Sequence, residues 1–183
     1  MSTPGDGTAA DLRPFLDVLE RTPGVLALLL GGQDDAWWHQ REGEGRWTPF
    51  EVLGHLLVGE ETDWIPRTRI VLEHGEGRAF EPFDRAAHLG AFDDVPADDL
   101  LVRFAAAREA NLAALVDLGL TDAQLSLRGL HPELGPVTLG NLLAAWSVHD
   151  LAHTAQVCRA LASRHKAAVG PWVEYMGILG GTK

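Results

Sequence analysis

Two histidines, His149 and His153, lie four residues apart in a segment with the hydrophobic pattern of an amphipathic helix. The apolar residues of this stripe are Leu139, Leu142, Leu143, Trp146, Val157 and Leu161. Because both histidines continue the stripe, their imidazoles are predicted to point into the protein. Residues four apart on an α-helix are separated by about 40° around the axis and about 6 Å along it. Both rings can therefore reach one point, as in a helix that presents two ligands to a metal ion.

This pair has a second interpretation. The chain contains eight histidines, so a pair at this spacing also arises by chance. An unsatisfied buried polar group costs about 1–3 kcal/mol, so each imidazole needs a partner. A shared metal ion would satisfy both rings, and hydrogen bonds to other core groups would do the same. The residues of this helix alone leave both interpretations open.

A third histidine, His55, lies in another apolar helical segment. Thr48 is predicted at the N-cap of this helix, with Pro49 at the first helical position and Glu51 three residues after the cap, which is a capping box. The helix is predicted over residues 49–73 and is apolar on nearly every side at its start, so that end must be buried.

The same segment contains residues that disturb a regular helix. Gly54 and Gly59 flank His55, and glycine inside a helix costs about 1 kcal/mol relative to alanine. We expect them to leave room for a neighbouring helix or a ligand. Pro66 is expected to kink the helix near Thr62, because proline has no N–H for the helical hydrogen bond.

Further polar residues near the histidines are candidates for supporting roles. Gln156 could form a hydrogen bond with a ligand histidine or with a metal-bound ligand, or it could bond only the backbone. Asp150 could orient an imidazole or form an ion pair with a cation on an adjacent helix, and the ion pair is favoured. The run of Glu60, Glu61 and Asp63 could supply a base or a fourth ligand, but is predicted to be a solvated face. Trp64 and Trp146 are predicted to pack the core, and no chemistry is assigned to His39, His74, His88, His131 and His165.

The remaining pattern predicts three more parts of a helical bundle. A first helix over residues 11–30 is expected to bend at Thr22-Pro23, a third begins at Pro96 and ends near Gly119, and a fourth, over residues 139–161, is capped by Thr138. Loops are predicted at residues 33–46, 75–96 and 121–136, with a turn of helix in the tail. No strand pattern appears. The fold class predicted is therefore all-α, with four amphipathic helices in a bundle.

Composition narrows the classes of function. The chain has 183 residues, of which 46% are hydrophobic and 22% charged, with a net charge of −11. This charge opposes binding to nucleic acid and to anionic membranes. The first residues lack the pattern of a signal peptide, and the longest aliphatic run, residues 25–30, is too short to span a bilayer, so a cytoplasmic protein is expected. Residues 1–10 are predicted to be disordered and 11–183 to form one domain.

The order of helices and histidines resembles the DinB/YfiT-like superfamily of four-helix-bundle metalloproteins. The resemblance covers residues 11–161 and is sharpest in WTPFEVLGHL, residues 47–56, and HPELGPVTLGNLLAAWSVHDLAHTAQV, residues 131–157. It implies an up-down-down-up topology with a long crossover connection, and a divalent metal bound by His55, His149 and His153. Thr48 stands where the family often has serine, which exchanges one capping hydroxyl for another.

The resemblance also implies a function. Some members transfer a low-molecular-weight thiol, such as bacillithiol or mycothiol, to an electrophile, and many are described as metal-dependent hydrolases. We therefore expect a metal-dependent S-transferase acting on a small molecule, with a hydrolase or a non-catalytic metal-binding or stress-response bundle as alternatives, and a possible homodimer. Zinc or nickel suits three imidazoles. Cys158 is predicted about 180° around the helix from His149, so the reacting sulfur would come from outside the chain.

Overall fold

The computed structural model describes residues 8–182, which form four long helical rods with shorter elements between them. The α-helices are α1 (Arg13–Leu19), α2 (Thr22–Leu30), α3 (Asp35–Trp38), α4 (Pro49–Thr62), α5 (Trp64–His74), α6 (Ala97–Asp117), α7 (Asp122–Leu125), α8 (Leu139–Ser163) and α9 (Lys166–Val169). The strands are β1 (Arg128–His131) and β2 (Gly135–Thr138), and 3₁₀ turns lie at Gly75–Gly77, Gly170–Tyr175 and Gly177–Leu179. The rods are α1 with α2, α4 with α5, α6, and α8.

Capping boxes begin the two helices that carry the inward histidines. The Thr48 hydroxyl accepts a hydrogen bond from the Glu51 N–H at 3.1 Å, and the Glu51 carboxylate accepts one from the Thr48 N–H at 2.7 Å. Thr138 and Asn141 form the same reciprocal pair at the start of α8. Both predicted helix starts are confirmed, and each cap satisfies N–H groups that the start of a helix leaves without partners.

Prolines interrupt two of the rods where the sequence predicts. The first rod breaks between α1 and α2, and Pro23 lies in the first turn of α2. The second rod breaks at Asp63, between α4 and α5. Pro66 has no N–H to donate to the carbonyl of Thr62, so the helical ladder is interrupted there. The kink predicted near Thr62 is therefore confirmed.

Contacts along the rods give their directions. The Ala10 N–H donates to the Leu120 carbonyl at 2.8 Å, and the Gly32 N–H donates to the Asp98 carboxylate at 3.2 Å. The first rod thus begins beside the end of α6 and ends beside its start, so these two rods are antiparallel.

The second rod runs parallel to α6. Leu53 belongs to the same apolar cluster as Leu100, whereas Ile65 belongs to the same cluster as Leu115. The second rod is antiparallel to α8, because its start contacts the middle of α8 while its break contacts an earlier part. The topology is therefore up-down-down-up, and residues 78–96 must run back along the bundle to reach the start of α6.

A layer of buried charge separates the two apolar clusters of the core. Arg108 on α6 donates to both oxygens of Asp150 at 2.6 and 3.0 Å and to Glu60 at 2.7 Å. Asn111 and the indole N–H of Trp146 also donate to Glu60. Helices α4, α6 and α8 meet at this layer, so the charges are paired in the middle of the bundle.

The structure differs from the prediction in its short elements. Residues 128–138, predicted largely as loop, form an antiparallel hairpin in which Arg128 pairs with Thr138 and His131 with Gly135. Each strand has four residues, which is too short to show a period of two in the sequence. The predicted loop at 33–46 likewise contains α3.

The predicted disordered N-terminus, residues 1–10, falls partly outside the described residues. Within the described part, Ala9 pairs with Thr121 as an isolated bridge, and the Asp122 N–H donates to the Thr8 carbonyl at 3.1 Å. Residues 8–10 are thus tied to the start of α7, a contact with a distant segment that their own composition does not indicate. Between residues 8 and 182, no helix has both the length and the hydrophobicity needed to cross a membrane.

Candidate metal centre

His55 on α4 meets His149 and His153 on α8. Nε2 of His55 lies 3.1 Å from Nε2 of His149, and one possible ligand atom from each of the three residues lies within 4.8 Å of the others. The ring centroids of His149 and His153 are 4.3 Å apart. The structure therefore brings together all three residues that were predicted from the sequence to be metal ligands.

Burial keeps these imidazoles in the form that binds metal. Burial and, to a smaller extent, the neighbouring histidines lower the pKa of His55 and of His149 to about 3. Burial also lowers the pKa of His153, against the opposing effects of Gln156 and Asp150. All three rings are neutral at pH 7, and a neutral imidazole has the lone pair that coordination requires.

Of the two polar residues expected to play supporting roles, Gln156 contacts a ligand histidine. Oε1 of Gln156 lies 3.0 Å from Nδ1 of His153 and accepts a hydrogen bond from the Nδ1–H. Nδ1 then carries the hydrogen, so Nε2 of His153 keeps its lone pair for the centre. The hydrogen bonds of Asp150 go to Arg108 on the adjacent helix α6 instead.

This donor set fits a divalent transition metal. It consists of three neutral nitrogen ligands, and the Nδ1 atoms of His55 and His149 are buried without a hydrogen-bond partner. Structural zinc sites are usually closed by four protein ligands, whereas catalytic sites hold the metal with three and leave a position open. The arrangement is of the open type.

A cavity of about 350 Å³ opens onto the three histidines. Its walls carry the aromatic rings of Trp47, Trp64 and Phe83. Its other lining residues are Gly59, Asp63, Arg67, Arg85 and His131. The volume is that of a site for a small molecule, and the walls combine apolar and charged surface.

The acidic run was predicted to be a solvated face, and this is wrong for two of its three residues. Glu60 is 3% and Asp63 7% exposed, while Glu61 is exposed. Asp63 forms an ion pair with Arg67, and burial raises the pKa of its carboxyl to about 6 although Arg67 opposes the shift. A carboxyl with such a pKa can exchange protons near neutral pH.

His88, to which the sequence assigned no chemistry, lies directly behind the centre. The residue is 3% exposed, and its ring centroid lies 5.2 Å from that of His55 and 4.4 Å from that of Trp47. A Cβ on Gly54 would lie 2.9 Å from Phe92 and 3.5 Å from the Cβ of His88. Gly54 therefore makes room for the crossover segment 78–96, rather than for a helix or a ligand.

His131, also left without a role, lines the cavity, and its Nδ1 accepts hydrogen bonds from the N–H groups of Glu133 and Leu134. No periodic pattern marks either histidine in the sequence, because both lie in irregular or very short elements. Cys158 is partly buried on α8 and is not among the residues that line the cavity in the described part of the chain. Trp64 and Trp146 stack in the core with centroids 5.6 Å apart, as predicted.

Comparison with known proteins agrees with this architecture. A profile of the DinB superfamily matches residues 18–157, a range that includes all three ligand candidates. The chain belongs to the DinB superfamily. Its structure is similar to YfiT from Bacillus subtilis, described as a probable metal-dependent hydrolase with an unusual four-helix bundle topology. The two share 23% sequence identity and a TM-score of 0.71, over 91% of this chain and 94% of YfiT. No curated protein matches the chain.

The family and the four-helix fold expected from the sequence are thereby confirmed. The comparisons give the family and the fold, while the group that could hold a metal ion, His55, His149 and His153, is an observation of this structure. A fold of this kind does not determine the reaction, which depends on the residues of the site.

Proposed function

We propose that this DinB-superfamily protein is a divalent-metal-dependent enzyme that transfers a low-molecular-weight thiol to a small electrophile. The observation that supports the proposal is the convergence of His55, His149 and His153, all neutral, at a cavity of small-molecule size. A divalent metal held there would supply Lewis-acid chemistry, because three neutral ligands leave it its full charge and it lowers the pKa of a thiol or water in its open position. Zinc and nickel suit this donor set.

The part of the chain that the structure describes offers no thiol at the cavity, since Cys158 is not among the lining residues. The nucleophile would therefore be an external thiol, and bacillithiol or mycothiol is the candidate that the family suggests. In the reaction with a halo-aromatic compound, a carbon–sulfur bond forms, the carbon–halogen bond breaks and halide leaves. The thiol proton goes to solvent or to Asp63, whose raised pKa suits it as an acceptor.

The cavity walls fit an electrophile that is apolar with an anionic group. Trp47, Trp64 and Phe83 can cover an aromatic or aliphatic body. The Arg85 side chain is 82% exposed and lies 3.9 Å from Glu133, a weak surface pair that leaves its guanidinium free to bind a carboxylate at the entrance.

The test is an assay of thiol consumption by zinc- or nickel-loaded protein. A halo-aromatic compound and an epoxide serve as electrophiles, with bacillithiol, mycothiol and glutathione supplied in turn. We expect consumption above the uncatalysed rate with at least one thiol, its loss in His153→Ala, and full activity in His74→Ala, which alters an exposed histidine at the end of α5. Equal rates for the loaded protein and His153→Ala with every thiol would refute thiol transfer.

Hydrolysis is the second candidate, and Asp63 is the observation that favours it. A carboxyl with a pKa of about 6 in the cavity wall could act as general base toward water. Hydrolysis of activated esters without any thiol, lowered in Asp63→Asn with loss of a pH dependence near 6, would support this reaction. If neither reaction occurred in metal-loaded protein, a non-catalytic metal-binding role would be the interpretation left.

A further inference from the structure

Three buried ring nitrogens without partners lie next to each other behind the metal centre. They are Nδ1 of His55 and both nitrogens of His88. The two rings are almost fully buried, and they meet in a T-shaped arrangement with centroids 5.2 Å apart and planes at 73°. A buried nitrogen without a hydrogen bond is costly, so this arrangement requires an explanation.

The position of His88 is fixed by the packing of its segment. Its ring lies edge-on to Trp47, and its Cβ lies close to the backbone of Gly54 on the same helix as His55. The His88 carbonyl accepts a hydrogen bond from the Ala91 N–H at 3.2 Å, which closes a turn around it. The ring is therefore held beside His55.

Metal binding changes what Nδ1 of His55 needs. Without metal, the 3.1 Å contact between the Nε2 atoms of His55 and His149 requires a hydrogen on one of them. Coordination through both Nε2 atoms leaves a hydrogen on each Nδ1 instead. Metal-ligating histidines almost always donate this hydrogen to an acceptor, which orients the ring and raises its basicity. Gln156 plays that part for His153.

The surroundings of His55 offer one suitable acceptor among its aromatic neighbours. In the described structure these neighbours, apart from the two other ligand candidates, are Trp47, Phe83 and His88. The indole N–H only donates, and the phenyl ring has no lone pair on nitrogen or oxygen. A neutral His88 has one nitrogen that accepts.

We propose that His88 accepts a hydrogen bond from Nδ1 of His55 when His55 binds metal through Nε2, so that His88 is a positioning residue of the centre and not a fourth ligand. The inference rests on the proposed metal ligation. Removing the acceptor lowers metal affinity by about 10- to 100-fold, the usual effect of losing such a partner.

The first test compares zinc dissociation constants, measured by chelator competition, in three variants. His88→Phe keeps an aromatic ring without an acceptor, and His88→Gln keeps an acceptor in an amide. His39→Phe is the matched control, because His39 is exposed and packs on Phe50 away from the centre. We expect weaker binding in His88→Phe, partial recovery in His88→Gln and no change in His39→Phe. A role in packing alone would not be restored by glutamine.

A second measurement follows the proton itself. In zinc-loaded protein with ¹⁵N-labelled histidine, the Nδ1–H of His55 should exchange slowly with solvent in the wild type and in His88→Gln, and fast in His88→Phe. Wild-type affinity in both His88 variants would overturn the inference. So would X-ray absorption that counts four imidazoles in the wild type and three in His88→Phe, since His88 would then be a ligand. Absence of zinc binding by the wild type would instead refute the proposed metal centre, and the inference with it.

Discussion

Nε2 of His55 and Nε2 of His149 lie 3.1 Å apart, although 94 residues separate the two histidines in the chain. The contact exists because α4 and α8 are antiparallel neighbours, and both histidines lie on the inward face of their helix. If one of these Nε2 atoms carries a hydrogen, the two neutral imidazoles form a hydrogen bond. If the hydrogen of each ring is on Nδ1, both Nε2 atoms have a free lone pair and can bind a metal. Metal binding by this pair therefore depends on which ring nitrogen of each histidine carries the hydrogen.

We expect the purified protein to bind one divalent transition metal per chain through His55, His149 and His153. His149→Ala and His153→Ala should each lose most of the metal, because two imidazoles hold it much more weakly than three. Elemental analysis of the purified variants measures this, with His74→Ala as a control that retains metal. Unchanged metal content in both alanine variants would show that these histidines do not bind the metal and are hydrogen-bonded residues of the core.

Acid should destabilise the metal-free protein. The folded-state pKa of His55 and of His149 is about 3, below the ordinary value of 6.5, so the unfolded state binds more protons between these values. Stability is therefore present above pH 6.5 and falls as the pH drops towards 3, by up to about 1.4 kcal/mol per pH unit for each imidazole.

Urea denaturation at pH 7.5 and pH 5 measures this loss. His149→Leu should lose less stability between the two pH values than the wild type, because it has one fewer group to protonate, while His74→Ala should match the wild type. An equal loss in His149→Leu would contradict the assignment of the effect to this buried ring.

The fold should not depend on metal. Two apolar clusters and the buried charged layer hold the four rods together without it. Chelation should leave far-UV circular dichroism nearly unchanged and lower the melting temperature, since a ligand at 100 times its Kd contributes about 2.7 kcal/mol. Collapse of the helical signal on chelation would show that the metal is structural, as in zinc fingers.

Asp150 should matter for stability and not for metal content. Asp150→Ala removes two hydrogen bonds of the buried Arg108, which keeps Glu60 as its remaining ion-pair partner, and this is expected to cost about 1.5–3 kcal/mol. Asp117→Ala, an exposed change on the same helix as Arg108, should stay within about 0.5 kcal/mol. Chemical denaturation and metal analysis of folded protein measure the two effects. Loss of metal from folded Asp150→Ala would assign this carboxylate to the centre.

Two glycine substitutions test the packing of the crossover segment. Gly24→Ala in α2 meets no atom within 4 Å and should stabilise the protein by about 1 kcal/mol through helix propensity. Gly54→Ala places a Cβ 2.9 Å from the Phe92 ring, and this overpacking should cost about 1–3 kcal/mol. Denaturation midpoints compare the two. Equal stabilisation by both substitutions would mean that residues 78–96 do not pack on α4.

Local features of the sequence were sufficient to predict the helices that carry the centre. The capping boxes at Thr48 and Thr138 and the break caused by Pro66 depend on residues within one helical turn of each other. The inward direction of His149 and His153 follows from the 3.6-residue period of the same helix. The resemblance that gave the family rested on these same segments.

The tertiary structure determined the contacts between residues that are far apart in the chain. Glu60 looked like part of a solvated acidic face, but Arg108, 48 residues later, provides a buried countercharge. His88 lies in a segment without any period, and its place beside His55 depends on the parallel arrangement of the second rod and α6, which forces the crossover past Gly54. Helix periodicity and caps are encoded within a few residues, whereas burial and charge pairing depend on which helices become neighbours.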